Sequence, residues 1–206
     1  MPKIVDEQMR EATRQHIIHE AAQEFARLGF DQANINLIAE KAGIGKGTIY
    51  LYFENKRELF LAMLRFIAQT QLAAIRGALA QNGDLQTRLE QLFLAFVRLA
   101  EEESDSFNVY MSALYGVNRA FRTEATKLLR DYVAVIAMVL EEAQAHNEIH
   151  IDDVDTTALM VLSLTESFIL SARVLGQSQQ NLMAQATRTA QFILQGLGAT
   201  RQPEEV

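Results

Sequence analysis

Long stretches of strong helix-forming residues, rarely interrupted by helix breakers, are the feature that most restricts the fold of this chain. Only two prolines and ten glycines occur among its 206 residues. The stretches between them are rich in Ala, Leu, Gln, Glu and Arg and have few clusters of β-branched residues, which favours helix over strand. The sequence shows no alternation of apolar and polar residues typical of a half-buried strand. It therefore predicts an all-α protein, and 49% hydrophobic residues suffice for an ordinary core.

Glycines and polar capping residues divide this sequence into helical segments. The first predicted helix starts near Thr13 and has one apolar face; it ends at Gly29 in a left-handed conformation, with Phe30 folding back to contact it. Later helices have candidate N-caps at Asn34, Asn55, Asp84 and Asp152 or Asp153. These later helices are predicted over 35–41, 46–53, 56–81, 85–103, 106–116, 120–146, 153–175 and 179–197.

The segment AGIGKGTIYLYFENK, residues 42–56, has the glycines and lysine of a phosphate-binding loop but not their spacing. A P-loop places its lysine directly before Ser or Thr, which binds the metal ion. Here Gly47 separates Lys46 from Thr48, and the residues before the glycines are helical in pattern. The spacing therefore excludes a nucleotide-binding P-loop.

The same segment joins two short predicted helices in the manner of a helix-turn-helix. Gly43 is free to take a positive φ at the turn, Ala39 is small where the helices approach, and Ile49 is an apolar anchor beneath the second helix. Gly45 and Gly47 would let the second helix approach the backbone of DNA. Glycines that are merely tolerated in a short connector are the alternative interpretation.

The sequence GFDQANINLIAEKAGIGKGTIYLYFENKRELF resembles the N-terminal DNA-binding domain of the tetracycline-repressor (TetR) family of transcriptional regulators. The resemblance extends from about Thr13 to Leu64 and depends on IAEKAG, GTIYLYF and NKRELF at these spacings. It implies an all-α protein, with an N-terminal three-helix helix-turn-helix domain joined by a long helix to a C-terminal ligand-binding and dimerisation domain. It also implies a homodimeric repressor that a small-molecule effector releases from its operator, without a cofactor.

The resemblance assigns nine residues to the DNA interface. Most lie in the recognition helix, and two of them, Tyr52 and Lys56, would reach phosphates. At the starts of the two short helices this chain has Asn34 and Gly45, where the family often has Thr and Ser; both are acceptable N-caps, but neither supplies a hydroxyl for phosphate. The full set is Asn34, Gly45, Lys46, Gly47, Thr48, Tyr50, Leu51, Tyr52 and Lys56.

The C-terminal two thirds contain the candidate effector site and the candidate dimer interface. Predicted domains are 8–55 for DNA binding and 56–198 for ligand binding and dimerisation, followed by a disordered tail over 199–206. Apolar residues occupy more than one face of the helix at 153–175, so it and the helix at 179–197 are expected to pack against a second subunit. Aromatic and Met residues form a candidate pocket, with plain core as the alternative: Phe66, Phe93, Phe96, Tyr110, Met111 and Tyr115.

The long helix predicted from Lys56 starts in the DNA-binding domain and continues into the aromatic-rich domain. A ligand among the aromatic residues is therefore expected to shift this helix and the recognition helix with it. Two recognition helices of a dimer must lie about 34 Å apart to meet successive major grooves. The predicted mechanism of release is a change in that spacing.

The net charge of −7 is unevenly distributed along the chain. Residues 1–66 hold nine Lys or Arg and nine Asp or Glu, so the remaining 140 residues carry all of the net charge. Because residues 1–66 have no net charge, they do not form a basic patch by composition alone. DNA binding therefore requires that its cations cluster on one surface.

Other classes of function find less support. Cysteine is absent, which removes disulfides and thiolate chemistry, and no nucleophile elbow surrounds any serine, so we predict that the chain is not an enzyme. The segment HNEIHIDDVD offers His146, Glu148, His150, Asp152 and Asp153 to a divalent metal. A helix cap by Asp152 or Asp153 explains the segment better, and no metal is predicted.

The cellular setting follows from what the sequence lacks. The N-terminus has no apolar core of a signal peptide, and no run approaches the roughly 20 apolar residues that cross a bilayer. We therefore expect a cytoplasmic protein with no membrane partner. An interaction module that has lost specific DNA binding remains the alternative function.

Overall fold

The computed structural model describes residues 2–115 and 121–197, and within them the chain forms ten α-helices and no strand. The all-α prediction is confirmed. The predicted tail at 199–206 lies outside the described residues. The helices are α1 (Pro2–Gln32), α2 (Ile35–Lys41), α3 (Lys46–Tyr52), α4 (Lys56–Leu79), α5 (Leu85–Glu102), α6 (Ser104–Tyr115), α7 (Arg122–Ala145), α8 (Val154–Val174), α9 (Gln179–Met183) and α10 (Ala186–Gly196).

The first helix differs from the prediction at its N-terminal end. It begins at Pro2 rather than near Thr13, because the polar residues between them are good helix formers and proline is tolerated in a first turn. Gly29 interrupts the helix with a φ of 70°, in the positive region expected of it, but a further helical turn follows before Gln32. Phe30 stacks on Phe25 with ring centroids 6.1 Å apart.

The predicted helix over 179–197 is wrong, since the chain breaks there into α9 and α10. A two-residue turn at Ala184 and Gln185 separates them, and the carbonyl of Gln185 accepts the hydroxyl of Thr189 at 2.9 Å. Leu182 of α9 is buried, as is the stripe of Ala186, Ala190 and Ile193 on α10. Both helices contact α5.

Contacts divide the chain into two compact units. Unit 1 comprises residues 1–70 and 104–126, and unit 2 comprises residues 71–103 and 127–206. Helix α4 passes from the first unit into the second after Thr70. These units are defined by packing, whereas the predicted domains are successive segments with assigned roles, and those remain predictions.

Unit 1 is built around a cluster of aromatic rings. Phe60 of α4 contacts Phe25, Phe30 and Phe121, with ring centroids 4.9, 5.3 and 4.2 Å away. Helix α6 packs on α1 in the same unit. Long-range aromatic contacts thus join α1 and α4 to the start of α7.

Unit 2 is organised by α5, which contacts α8, α9 and α10. Its N-cap is Asp84, as predicted, whose carboxylate accepts the N–H of Thr87 at 2.9 Å; this bond holds the pKa of Asp84 below its ordinary value. Two ion pairs link α5 to other helices, Arg88 with Glu142 at 2.9 Å and Arg173 with Glu101 at 3.2 Å.

By length and mean hydropathy alone, α4 and α8 pass the test for a helix that could cross a membrane. Half of the apolar stretch of α4 is buried within the fold, and core helices of soluble proteins share this composition. Only 39% of the corresponding stretch of α8 is buried, so much of its apolar surface is uncovered.

Candidate functional site

The turn between α2 and α3 has the hydrogen bonds of a Schellman motif. Gly43 follows α2 with a φ of 66°, which confirms it as the turn residue, and its N–H donates to the carbonyl of Glu40 at 3.0 Å. The N–H of Ile44 donates to the carbonyl of Ala39 at 3.0 Å. These bonds satisfy the last carbonyls of α2 and direct the chain into α3. Ala39 and Ile49 are buried beneath the turn, as predicted.

A Gly43→Ala substitution is expected to destabilise this turn by about 1–2 kcal/mol, because an L-residue is strained at positive φ. The Gly77→Ala control makes the same change on the exposed surface of α4 and is expected to stabilise the protein by about 1 kcal/mol. A Cβ would meet nothing within 4 Å at either position, so backbone conformation alone distinguishes them. Chemical denaturation of both variants measures the effect, and equal changes of the same sign would contradict it.

Helix α3 has one anchored face and one exposed face. Ile49 is 1% exposed, whereas Leu51 is 73% and Tyr50 is 44% exposed. Thr48 and Tyr52 are half-buried. A partner that covers these two side chains would remove their apolar surface from water. The exposed candidate residues are Asn34, Gly45, Lys46, Gly47, Tyr50 and Leu51.

The N-caps of the two short helices lie where they were predicted. The side chain of Asn34 accepts the N–H of Asn36 at 2.9 Å, which caps α2. Gly45 caps α3 with its backbone alone, and its carbonyl accepts the N–H of Thr48 at 2.8 Å. Lys46 is the first residue of α3, where a cation is unfavourable beside the positive end of the helix dipole. A phosphate partner would reverse that cost.

Cationic side chains from other helices lie close to α3. The guanidinium of Arg10 is 5.9 Å from the centroid of the Tyr52 ring, at the end of α3. Arg14 lies 5.3 Å from the ring centroid of Phe53, the next residue. Two guanidinium groups of α1 thus lie near the C-terminal end of α3, and Lys46 lies at its first residue.

Lys56 also has a role within the protein. Its ammonium donates to the carbonyl of Asp31 at 3.0 Å, at the end of α1, and lies 5.1 Å from the centroid of the Phe30 ring. These contacts hold the start of α4 against α1. Because removing Lys56 would disturb this packing, Lys46 is the better position at which to test phosphate binding.

Glu24 holds α2 against α1, although it was not among the predicted site residues. Its carboxylate is completely buried and accepts the N–H of Asn34 at 3.3 Å. It also pairs with Arg27 at 3.2 Å and with Lys41, on the last turn of α2, at 3.9 Å. The two ends of α2 therefore share one buried anion, which orients the helix-turn-helix.

The sequence offers little sign of Arg10 and Glu24 as site residues. Both lie on α1, and Arg10 is 42 positions from the ring that it contacts. The only available signal was that Glu24 falls on the apolar face of α1, next to Phe25. A charged residue on such a face requires a partner when it is buried.

The six candidate ligand residues do not share one environment. Phe93, Phe96 and Tyr110 are buried, and Met111 is half-buried. Tyr115 is 61% and Phe66 is 37% exposed. Phe93 and Phe96 belong to unit 2, and the other four belong to unit 1.

An apolar face of α8 and α10 is uncovered. It contains a groove of about 440 Å³. Phe192 of α10 is 64% exposed and Met160 of α8 is also 64% exposed. The groove is lined by Leu164, Phe168, Gln185, Arg188, Thr189 and Phe192. The helices predicted to form a dimer interface thus present the apolar surface that such an interface needs.

Two of the residues considered for metal binding, Asp153 and Glu148, have structural roles. Asp153, one of the two predicted candidates, caps α8 by accepting the N–H of Thr156 at 3.0 Å. Hydrogen bonds from Thr156 hold the pKa of Asp153 below its ordinary value. The carboxylate of Glu148 accepts the N–H of Leu85 at 2.9 Å. In the part of the chain that the structure describes, no three acidic, His or Cys side chains converge on one point.

Two family models match the chain. The model of bacterial regulatory proteins of the tetR family matches residues 17–63, and the model of tetracyclin repressor-like C-terminal domains matches residues 82–170. The first match includes α2, α3 and all six of the exposed candidate residues. The second falls on the helices that follow α4.

Individual relatives are similar in sequence or structure. The uncharacterized HTH-type transcriptional regulator YdgC of Bacillus subtilis is 26% identical over 77% of this chain and 82% of its own. An HTH-type transcriptional repressor of Streptomyces coelicolor is 46% identical over 26% of this chain and 28% of its own. The regulator FadR of Bacillus subtilis, solved in complex with stearoyl-CoA, aligns with a TM-score of 0.76 at 20% identity, covering 88% of this chain and 98% of its own. At that identity it establishes the fold alone.

Proposed function

Because this chain belongs to the tetracycline-repressor (TetR) family of bacterial regulatory proteins, we propose that it is a homodimeric repressor of transcription in the cytoplasm. Its α3 helices bind operator DNA, and a small-molecule effector releases them. The observation that carries this proposal is the exposed face of α3, held by the Schellman turn and the Glu24 anchor, with cationic side chains nearby. That arrangement suits the major groove, where a helix reads base edges while cations contact phosphates.

In this proposal the exposed residues of α3 contact bases or sugars and the flanking residues contact the backbone. Tyr50 and Leu51 project from α3 into solvent, so they are available for base contacts. Lys46 and Arg10 lie at its two ends and are available to phosphates. Asn34 and Gly45 contribute through their N-cap positions rather than through hydroxyl groups.

The dimer forms through the uncovered apolar face of α8 and α10. Two-fold symmetry brings the same groove from both subunits together, so that Phe168 and Phe192 of each are buried. Removing these rings from water favours association of the two subunits through the hydrophobic effect. Each dimer then presents two recognition helices to two half-sites.

The effector binds the domain proposed over 56–198, and its apolar part contacts buried aromatic residues such as Phe93 and Phe96. Support comes from a relative of the same fold, FadR of Bacillus subtilis, which was solved with stearoyl-CoA, a ligand with a long apolar chain. Helix α4 begins just after α3 and continues into unit 2, so a ligand that favours one position of α4 changes the placement of α3. Such coupling requires a differential affinity of about 1–3 kcal/mol.

A Lys46→Ala substitution is expected to weaken binding to every DNA sequence alike, because a phosphate contact carries no sequence information. Each lysine removed should lower the slope of log affinity against log salt by about 0.9, so a dimer should lose about 1.8. Fluorescence anisotropy with operator and random duplexes across salt concentrations measures both effects. The control is Lys127→Ala, an exposed lysine on α7. A slope unchanged by the Lys46 variant would contradict this phosphate contact.

Genomic footprinting with the purified protein tests the proposed function as a whole. Protection of discrete two-fold symmetric sites is the expected result. Uniform or absent protection would instead favour an interaction module that has lost specific DNA binding.

A further inference from the structure

Glu166 places an unpaired carboxyl group in the core of unit 2. It is 1% exposed and lies on the buried stripe of α8, one turn from Leu162 and one turn from Ile169. Neither carboxyl oxygen accepts a hydrogen bond from any residue that the structure describes. The adjacent hydroxyl of Thr165 donates to the carbonyl of Val161 at 2.8 Å and is already used.

Two further buried polar side chains belong to the same region of unit 2. The Tyr132 hydroxyl donates to Oε1 of Gln71 at 2.9 Å, and the Nε2 group of Gln71 makes no hydrogen bond within the described chain. Burial, followed by the negative charges of Glu166 and Asp131, raises the pKa of Tyr132, which places its phenol within the field of the Glu166 carboxylate. Helices α4, α7 and α8 thus contribute one polar residue each to this part of an apolar interior.

An isolated buried carboxyl is costly. Transfer of the ionised form out of water costs several kcal/mol unless a cation or hydrogen-bond donors compensate it. Burial raises the pKa of Glu166 to about 7, and no attraction to a cation offsets that shift. The carboxylate of Glu166 is therefore a buried hydrogen-bond acceptor in unit 2 that lacks a hydrogen-bond donor within the described part of the chain.

The charge of unit 2 favours a cationic partner over an anionic one. Unit 2 contains eight Lys or Arg and fifteen Asp or Glu, whereas unit 1 contains eleven of each. All of the net charge of −7 therefore belongs to unit 2. A field of this sign attracts cations and repels carboxylates and phosphates.

We propose that Glu166 is the counter-ion for the effector, and that the effector is an apolar small molecule bearing a protonated amine. This inference rests on the proposed function, because it takes the effector to bind within unit 2. An ammonium group offers three donors, enough for both oxygens of Glu166. The apolar part of the effector lies against the surrounding core. The Nε2 group of Gln71 can donate a hydrogen bond to a second polar atom of the effector.

Three eight-carbon probes of matched length test the charge preference: octylammonium, octanamide and octanoate. Each is titrated calorimetrically into the protein at pH 7.5, with thermal unfolding as a second measurement. Octylammonium is expected to bind at least about thirtyfold more tightly than octanoate. The ammonium group would form a buried ion pair with Glu166, whereas octanoate would place a second carboxylate beside it. Tighter binding of octanoate or octanamide, or no binding of octylammonium, would overturn the proposal.

The Glu166→Gln variant tests the residue. It keeps the shape of the side chain and removes the charge, so the preference for octylammonium over octanoate should fall by about thirtyfold or more. Glu141→Gln, which removes an exposed carboxylate from α7, is the matched control and should leave the preference unchanged. An unchanged preference in the Glu166 variant would refute its role. The preference of the unsubstituted protein remains decisive should this variant fold poorly.

Operator binding in the presence of each probe separates this inference from the proposed function. If octylammonium binds through Glu166 but does not release DNA, the result contradicts effector-controlled repression. The assignment of Glu166 as the residue that pairs with the ammonium group would still stand. Release of DNA by octanoate would support effector control and contradict the cationic effector.

Discussion

Replacing Phe192 with aspartate is expected to dissociate the homodimer. This ring is 64% exposed on α10 and lines the groove of about 440 Å³ together with Phe168. In the proposed dimer it is buried, and two-fold symmetry introduces the substitution twice. A buried carboxylate without a partner costs several kcal/mol. Dimerisation should therefore weaken by a factor of about 1000 or more, since each 1.4 kcal/mol corresponds to tenfold.

Sedimentation velocity over a range of concentrations measures this effect. The matched control is Met138→Asp, which places the same charge at a residue on α7 that is 67% exposed, outside the groove. We expect the control to remain dimeric. If Phe192→Asp is as dimeric as the control at micromolar concentration, the interface lies elsewhere.

The same variant should lose tight operator binding while its helix-turn-helix stays folded. A dimer binds two half-sites one helical turn apart, whereas a monomer contacts only one. Binding of monomers should therefore require much higher protein concentration, although the salt dependence of each half-site contact persists. Circular dichroism confirms folding, and anisotropy with a footprinted duplex measures the affinity. Full affinity in a monomeric variant would separate DNA binding from dimerisation.

The second large effect is a loss of stability at neutral pH that originates at Glu166. Its pKa is raised from the ordinary 4.5 to about 7 in the folded protein, so the folded state keeps a proton that the unfolded chain releases between these values. Stability from this group is therefore complete below about pH 4.5 and is lost as pH rises through 7. The integrated loss is about 3 kcal/mol.

Urea denaturation of the unsubstituted protein and of Glu166→Gln between pH 4 and pH 8 measures this loss. The glutamine variant does not titrate, so its free energy of unfolding should rise relative to the parent by about 3 kcal/mol across this window. Glu141→Gln, exposed on α7, serves as the control and should follow the parent. A difference between Glu166→Gln and the parent that stays constant with pH would show that the carboxylate is ionised and compensated in the folded state.

The features that the sequence alone determined are local ones. Helix, cap and turn depend on residues a few positions apart, so spacing was sufficient to predict Asn34 and Asp84 as N-caps. For α8 it narrowed the N-cap to Asp152 or Asp153, and the structure selects Asp153. The turn at Gly43 followed in the same way, because its Schellman bonds span only the end of α2 and the next two residues. The apolar excess of the helix at 153–175 likewise predicted an uncovered face before any contact was known. The resemblance to the TetR family added the roles of these elements.

Tertiary structure alone decided which polar groups are buried and what they meet. Glu24 becomes the anchor of α2 because α1 packs beside both of its ends, and Arg10 reaches Tyr52 only through that packing. Glu166 looks like any polar residue on an amphipathic helix until neighbouring helices remove it from water. Burial and long-range pairing are properties of the folded surroundings, which spacing along one helix does not specify. The physical reason is that the free energy of a charge depends on the dielectric and the partners around it.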